Sequence, residues 1–390
     1  VADTLRAGAT CAPFSYCAMP IPDTLPPSLP YLPLRRRLLA AGAAALALPN
    51  APLLAQSPAR RTVVVGHLID RGSAQADLAR DYLAGAKVLF DAVNAANGPV
   101  RIAHVVRNAD PDPRRAVAQA VALADSEHAE LLFGAGDRLL PALASSAELV
   151  RRGVQIVAPL SGLALAADNV WFTRADYQAE LDAAVRQLRS YGLSAIALAV
   201  APDFATPSLA RLEAQTGTRA VPLDPKADPG ADAAARRIAA ARPGAVIVAG
   251  DTLAYAGLGR ALAAQGWYGF LVGLSSVSAT AAREILGTGY AGGMVLTQVA
   301  PGPQQATLRV VREHVARMKQ YLDEPPSSAT LAGYIGAAWL ARALAGVRAG
   351  GAAELRRALQ GRVDVGDFTL DFSHGQRGSQ YVTLAVSGAR

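Results

Sequence analysis

Cysteine is almost missing from this chain: Cys11 and Cys17 are its two examples in 390 residues, both near the N-terminus. Everything after residue 17 therefore has no disulfide, no thiol nucleophile and no thiolate metal site. Aromatic residues are scarce too, at 6%, which leaves few platforms on which nucleic-acid bases could stack. Charged residues make up only 18%, and the net +7 is dispersed among Asp and Glu rather than striped, so no nucleic-acid partner is expected. The histidines (His67, His104, His128, His314, His374) are scattered, with none at zinc spacing. No apolar run reaches the roughly 20 residues that a spanning helix needs.

What is present begins with LRRRLLAAGAAALALP, residues 34–49. Three arginines, a short Leu/Ala run and a stop at Pro49 are the parts of a secretory signal, with Ala55 as the small residue at its end. Sec export and twin-arginine export both fit the triplet. A buried alanine-rich helix is the competing reading. Met19 can begin an ordinary signal, so residues 1–18 read as a start-site artefact. Residues 1–55 are thus expected to be removed, cysteines included, and the working chain of 56–390 is expected to be secreted. That length exceeds what one core comfortably fills, so two domains are expected.

From Arg61 onward short β-branched runs alternate with helical periodicity. TVVVGHLI (62–69), VRIAHVV (100–106), AELLFG (129–134), VQIVAP (154–159), VWFTR (170–174), SAIALAV (194–200), GAVIVAG (244–250), GFLVG (269–273) and GGMVLTQVA (292–300) read as strands. Helices are expected over about 75–96, after Pro113, from Asp137 to Arg152, over 176–191, over 252–263 and over 279–286. Leu181, Val185 and Leu188 place one apolar stripe on the fourth of these. Two successive helices follow, around 308–322 and 328–347. DFTLDF (367–372) and YVTLAV (381–386) then return to finish sheets begun earlier. The pattern predicts α/β architecture: two Rossmann-like lobes with parallel central sheets.

Motifs for catalysis are weak. GTGYAG (287–292) spells G-x-G-x-x-G, but a helix precedes it and a strand follows, the reverse of a dinucleotide site. It reads as a helix-to-strand turn. GAG (134–136) has the right order but lacks the third glycine. PLSGL (159–163) has Pro159 where a nucleophile elbow needs glycine. No enzyme activity, metal or cofactor is expected. Binding is better supported, because ligands of parallel sheets sit beyond the strand C-termini, at helix N-termini. FGAGDR (133–138), APLSGL (158–163) and FTRADYQ (172–178) fall there. Ser161 offers a hydroxyl, and Gly162 and Leu163 offer N–H groups to a carboxylate; alternatively, Ser161 caps a short helix.

At GVQIVAPLSGLALA (153–166), NVWFTRADYQAE (169–180), YGLSAIALAV (191–200), GDTLAYAGLGRALAAQGW (250–267) and SSATLAGYIGAAWLARAL (327–344), the chain resembles the type I periplasmic binding proteins of the leucine/isoleucine/valine-binding kind. The resemblance covers nearly all of 56–390. It implies two lobes joined by a three-crossover hinge, with crossovers near Arg174, Thr297 and Asp371. Lobe 1 would be 56–174 plus 297–371, and lobe 2 would be 175–296 plus 372–390. It further implies a small ligand clamped between the lobes and delivery to an inner-membrane ABC transporter permease. Its contacts would be Ser161 with Gly136 and Asp137 from lobe 1, and Tyr177, Phe204, Asp251 and Ser275 from lobe 2. Tyr334, on the late helix, would join them.

The chain departs from that pattern in two loops. Gly134-Ala135-Gly136-Asp137 stands where amino-acid binders have a serine-containing loop, and Leu78 stands where an aromatic is common. An ammonium partner would have to be Asp251 or Asp137, and an aromatic or aliphatic carboxylate competes with an amino acid as ligand. Structural roles compete as well: packing for Tyr177, Phe204 and Tyr334, a helix cap for Asp251, and an ion pair tying the crossover for Arg174. The expected function is capture of a small polar or anionic ligand for an ABC transporter. The rival is a ligand-sensing domain of the same fold that regulates a receptor or another protein partner.

Overall fold

The alternation of strands and helices resolves into two sheets. The computed structural model describes residues 60–202, 204, 209–223, 231–321, 325–348 and 350–387. The expected signal peptide and both cysteines lie outside the described residues.

The first sheet is built from β1 (Arg61–Ile69), β2 (Val100–Asn108), β3 (Leu131–Phe133), β4 (Gln155–Val157) and β5 (Val170–Trp171). Their order is β2-β1-β3-β4-β5, with every neighbour parallel. Helix α1 (Ala76–Ala95) covers one face and α2 (Pro113–Ser126) the other, so β1 carries apolar residues on both sides. The start of α2 is set by Asp112, which accepts the Arg114 N–H at 2.9 Å, and by Pro113 at the first helical position.

The second sheet holds β6 (Ile196–Val200), β7 (Val221–Pro222), β8 (Ala245–Ala249), β9 (Phe270–Gly273), β10 (Gly293–Gln298) and the late strand β13 (Thr383–Ser387). The order is β13-β10-β9-β8-β6-β7, parallel throughout except for β13, which runs antiparallel to β10. Helices α5 (Tyr177–Ser190) and α6 (Leu209–Thr216) pack on one face. Helices α7 (Asp232–Ala240), α8 (Thr252–Ala264) and α9 (Ala279–Leu286) pack on the other.

After β10 the chain goes back to the first core. Helices α10 (Arg309–Tyr321), α11 (Ser328–Ala345) and α12 (Ala352–Ala358) contribute Val310, Met318, Leu331, Trp339 and Leu355 to the cluster that contains Val63 and Phe90. Helix α11 is apolar on nearly every side and correspondingly buried. Its start is a capping box: Ser327 Oγ accepts the Thr330 N–H, and Thr330 Oγ1 accepts the Ser327 N–H. α1 and α11 meet backbone to backbone. A Cβ on Gly85 would lie 1.7 Å from the Thr330 carbonyl oxygen, and one on Gly333 would lie 2.0 Å from that of Tyr82. Only glycine permits that approach. The chain thus passes between the two sheets after β5, after β10 and again before β13, which gives the two-lobed α/β fold with its three crossovers.

Three details differ from the sequence expectation. The helix expected from Asp137 to Arg152 is two short ones, α3 (Leu140–Ala144) and α4 (Ala147–Arg151). Ser146 breaks it, with extended backbone and a hydroxyl that accepts the Leu149 N–H. DFTLDF does not join either large sheet: β12 (Thr369–Asp371) pairs antiparallel with β11 (Arg362–Asp364) alone. The strand expected at 170–174 ends at Trp171, where Phe172 forms a single bridge to Arg377 instead. GTGYAG does connect α9 to β10, with Gly287 at φ +61° supplying the left-handed turn.

Candidate functional site

Strand C-termini of both sheets face a cavity of about 850 Å³ between the lobes. Ser73, Gln75, Asp137 and Arg138 line it from the first lobe. Tyr177, Pro202, Phe204, Asp251, Leu253 and Leu258 are among the lining residues of the second. Polar side chains are concentrated on the first-lobe wall, beside Ala74, Pro141 and Leu163, and the second is mainly apolar.

Asp137 organises the polar wall. Its Oδ2 accepts from Gln75 Nε2 at 2.7 Å and from the Tyr177 hydroxyl at 2.8 Å. Gln75 Oε1 accepts the Asp137 N–H at 3.2 Å, so the glutamine holds both ends of that residue. Asp137 Oδ1 is shielded from solvent and accepts nothing among the described residues. Burial, and then the Asp137 charge, push the Tyr177 hydroxyl well above its usual pKa, so it stays protonated and donates. Arg138, the next residue, is held by Asp70: Nε reaches Oδ2 at 2.6 Å and the second nitrogen reaches Oδ1.

In the second lobe, the Phe204 ring lies against Tyr177, with centroids 4.7 Å apart. Asp251 caps α8 through its Oδ1, which accepts the Ala254 N–H at 2.9 Å, and it lines the cavity as well. The capping role and a cavity-facing position coincide there.

Of the residues expected at the site, the structure brings Asp137, Leu163, Tyr177, Phe204 and Asp251 to the cavity wall. Ser161 is fully buried behind it, and its Oγ accepts the Leu163 N–H at 3.1 Å. Gly162 lies beneath the Tyr177 ring, where a Cβ would come within 2.7 Å, and its carbonyl accepts the Tyr177 N–H. Gly136 lies in the loop beside Gln75, and its carbonyl accepts the N–H groups of Leu139 and Leu140. Tyr334 is not brought to the cavity; it sits in the first core, in edge contact with His314.

Ser275 belongs to a buried network at the crossover. Glu180 Oε1 accepts from Arg174 at 2.6 Å and from Ser275 Oγ at 2.8 Å. Its Oε2 accepts the Ser275 N–H at 2.8 Å and the Thr297 hydroxyl. Arg174 also donates to the Leu160 and Ala175 carbonyls, so the ion pair expected of it is present. Burial works against the Arg174 charge, but Glu180, backed by Tyr177 and Asp137, raises its pKa on balance. Arg377, from the third crossover, donates to the Arg174 and Leu163 carbonyls and lies over the Phe172 ring.

Sequence reasoning missed Gln75, Arg138 and Ser276. Gln75 stands in the loop after β1, so the rule that placed the other loops could have found it. Ser276 is one residue beyond the serine expected, and its Oγ donates to the Gly250 carbonyl at 2.8 Å. Among the described residues no group of three His, Cys, Asp or Glu could hold a metal ion, and no helix is long and apolar enough to cross a membrane.

No curated protein sequence matches the chain. Solved structures do match in fold. An extracellular ligand-binding receptor from Verminephrobacter eiseniae superposes with TM-score 0.74 at 24% identity, over 84% of this chain and 98% of that one. The branched-chain amino acid transporter substrate-binding protein LivJ of Streptococcus pneumoniae, solved with isoleucine, gives 0.71 at 14% identity, over 84% and 97%. A fatty acid ABC transporter substrate-binding protein from Thermomonospora curvata gives 0.66 at 17%, over 83% and 88%. The sequence profile of the periplasmic binding protein family matches residues 62–380, the span that contains both sheets up to the last crossover and the whole wall of the cavity. That span is most of the chain, and the chain belongs to the periplasmic binding protein family.

Proposed function

We propose that this protein captures a small amphiphilic ligand between its lobes in the periplasm and delivers it to an ABC transporter permease. Lobe 1 would comprise 56–174 and 297–371, and lobe 2 would comprise 175–296 and 372–390, after removal of residues 1–55. No bond is made or broken. The observation that carries this reading is the Asp137–Tyr177 hydrogen bond, which ties the polar wall of one lobe to the apolar wall of the other over a cavity of about 850 Å³. A volume of that order suits a metabolite-sized ligand. Asp137, Gln75, Tyr177, Phe204, Leu163 and Asp251 are the residues we assign to its contacts. Ser161, Gly162 and Ser275 support the wall from behind.

The test is thermal unfolding of the chain, refolded from denaturant to strip any carried ligand, against amino acids, amines, carboxylates and amides. Ligand at about 100 times its dissociation constant stabilises the folded state by roughly 2.7 kcal/mol, a rise of several degrees in Tm. A concentration-dependent rise with one chemical class supports capture. Deleting the gene should then abolish high-affinity uptake of that class. Identical melting curves across the panel would overturn capture, and unchanged uptake would overturn delivery.

A further inference from the structure

Resting on that reading, we infer that the ligand is an amine: a protonated nitrogen held by Asp137, with an apolar body against the second lobe. The charges of the wall point this way. Among the described lining residues the carboxylates are Asp137 and Asp251, and Arg138 is the cation. Arg138 is largely committed, because three of its five N–H donors go to the two oxygens of Asp70 and to the Pro111 carbonyl, and Asp70 balances its charge. The cavity therefore presents two carboxylates and one arginine that is already neutralised.

Most side chains that could receive a ligand carboxylate are buried, covered or already donating; Ser73, whose Oγ accepts the Gln75 N–H, keeps its O–H. Ser161 is fully buried behind the wall, so its hydroxyl does not reach the cavity. Gly162 is covered by the Tyr177 ring. The Ser276 hydroxyl donates to the Gly250 carbonyl, and the Tyr177 hydroxyl donates to Asp137. What lacks a partner is an acceptor. Asp137 Oδ1 has neither solvent nor a donor, while Oδ2 of the same carboxylate already accepts two hydrogen bonds. A shielded carboxylate oxygen left without a donor is costly, and an N⁺–H donor is its strongest complement. Phe204, Pro202, Leu223, Leu253 and Leu258 then receive the hydrocarbon part.

The test holds one body constant and changes the head. Calorimetric titration of the refolded full chain with 4-phenylbutylamine, 4-phenylbutanol and 5-phenylpentanoate should give tightest binding for the amine. Its preference over the carboxylate should be at least about tenfold, as expected of a charge-assisted hydrogen bond. Asp137→Asn should weaken the amine by about tenfold or more and the alcohol by much less. If that variant fails to fold, Asp251→Asn, which preserves the helix cap, should reduce the amine preference on the electrostatic term alone. Binding of the carboxylate in preference to the amine overturns the amine class and leaves capture standing. An amine affinity unmoved by Asp137→Asn overturns Asp137 as the anchor. Binding by none of the three overturns the amine with an apolar body as the ligand, while capture itself stands or falls on the thermal-unfolding panel.

Discussion

Asp137 and Tyr177 stand on different lobes and share a hydrogen bond of 2.8 Å, with Gln75 donating to both. Tyr177 opens α5 directly after the first crossover, and its ring covers Gly162 of the first lobe. Any opening of the cleft by rotation about the crossovers has to break this contact. Tyr177→Phe keeps the ring and removes the tie. We expect it to lower stability by about 1 kcal/mol and to raise the ligand-free radius of gyration in small-angle scattering. A scattering profile unchanged from the wild type would show that the hydroxyl does not hold the lobes together.

The α1–α11 crossing sets a sharper stability test. At Gly85 an added methyl meets the Thr330 backbone, which cannot yield as a side chain could. Gly85→Ala should cost about 3 kcal/mol or more in denaturant unfolding, through forced separation of the two helices. Gly257→Ala is the control. That glycine lies within α8 with nothing within 4 Å of a new Cβ, so alanine there should be neutral or stabilise by up to about 1 kcal/mol.

Much of this was legible in the sequence because its signals are local. Buried parallel strands read as apolar runs, Pro113 and Asp251 announce helix starts, and Arg174 beside a crossover reads as an ion-pair residue. The loops after β3 and before α5 follow from strand order, and Asp137 and Tyr177 in them line the cavity. The misses are relational. Nothing in PLSGL says that Tyr177 will lie over Gly162, or that the Ser161 hydroxyl will turn inward to take the Leu163 N–H. Tyr334 looked like a contact because of its place on the late helix. Its side of α11 instead faces α10 and His314. Helix α7 and the two-residue strand β7 were too alanine-rich and too short, respectively, to give a clear period.

Acid should weaken the fold through its buried histidines. His67 Nδ1 lies 3.2 Å from His104 Nε2, within a cluster that includes Phe90 and Phe133. Burial, with His104 close by, holds His67 well below the ordinary imidazole value of 6.5. Burial lowers His104 to about 4, partly countered by Asp91 and assisted by Lys87, and burial alone lowers His314 to about 4. The unfolded chain takes up protons below about pH 6.5 while the folded chain does not. Stability is therefore level above neutrality and falls as pH drops from about 6.5 toward 4, by about 1.4 kcal/mol per pH unit for each proton withheld. Denaturant melts at pH 7, 6 and 5 should show the decline, and His104→Gln should flatten it. A wild-type midpoint that stays constant down to pH 5 would contradict the neutral pair.

Glu180 gives the most severe expectation. Its carboxylate is fully buried and accepts from Arg174, from both donors of Ser275 and from Thr297, so one side chain joins α5, the loop after β9, the end of β10 and the first crossover. Glu180→Ala would leave Arg174 charged, buried and short of its counter-ion, and such half-pairs cost about 3–5 kcal/mol. Removing both charges is a different matter, since an apolar pair of similar volume forfeits neither desolvation nor packing. Glu180→Leu with Arg174→Met should therefore be less destabilised than Glu180→Ala alone. The double variant still abandons the Leu160 and Ala175 carbonyls that Arg174 served, so it should not exceed the wild type. Denaturant unfolding of the wild type and the two variants orders them directly. If the double variant is the least stable, the hydrogen bonds of Arg174 to those carbonyls, and not its charge balance with Glu180, hold the crossover.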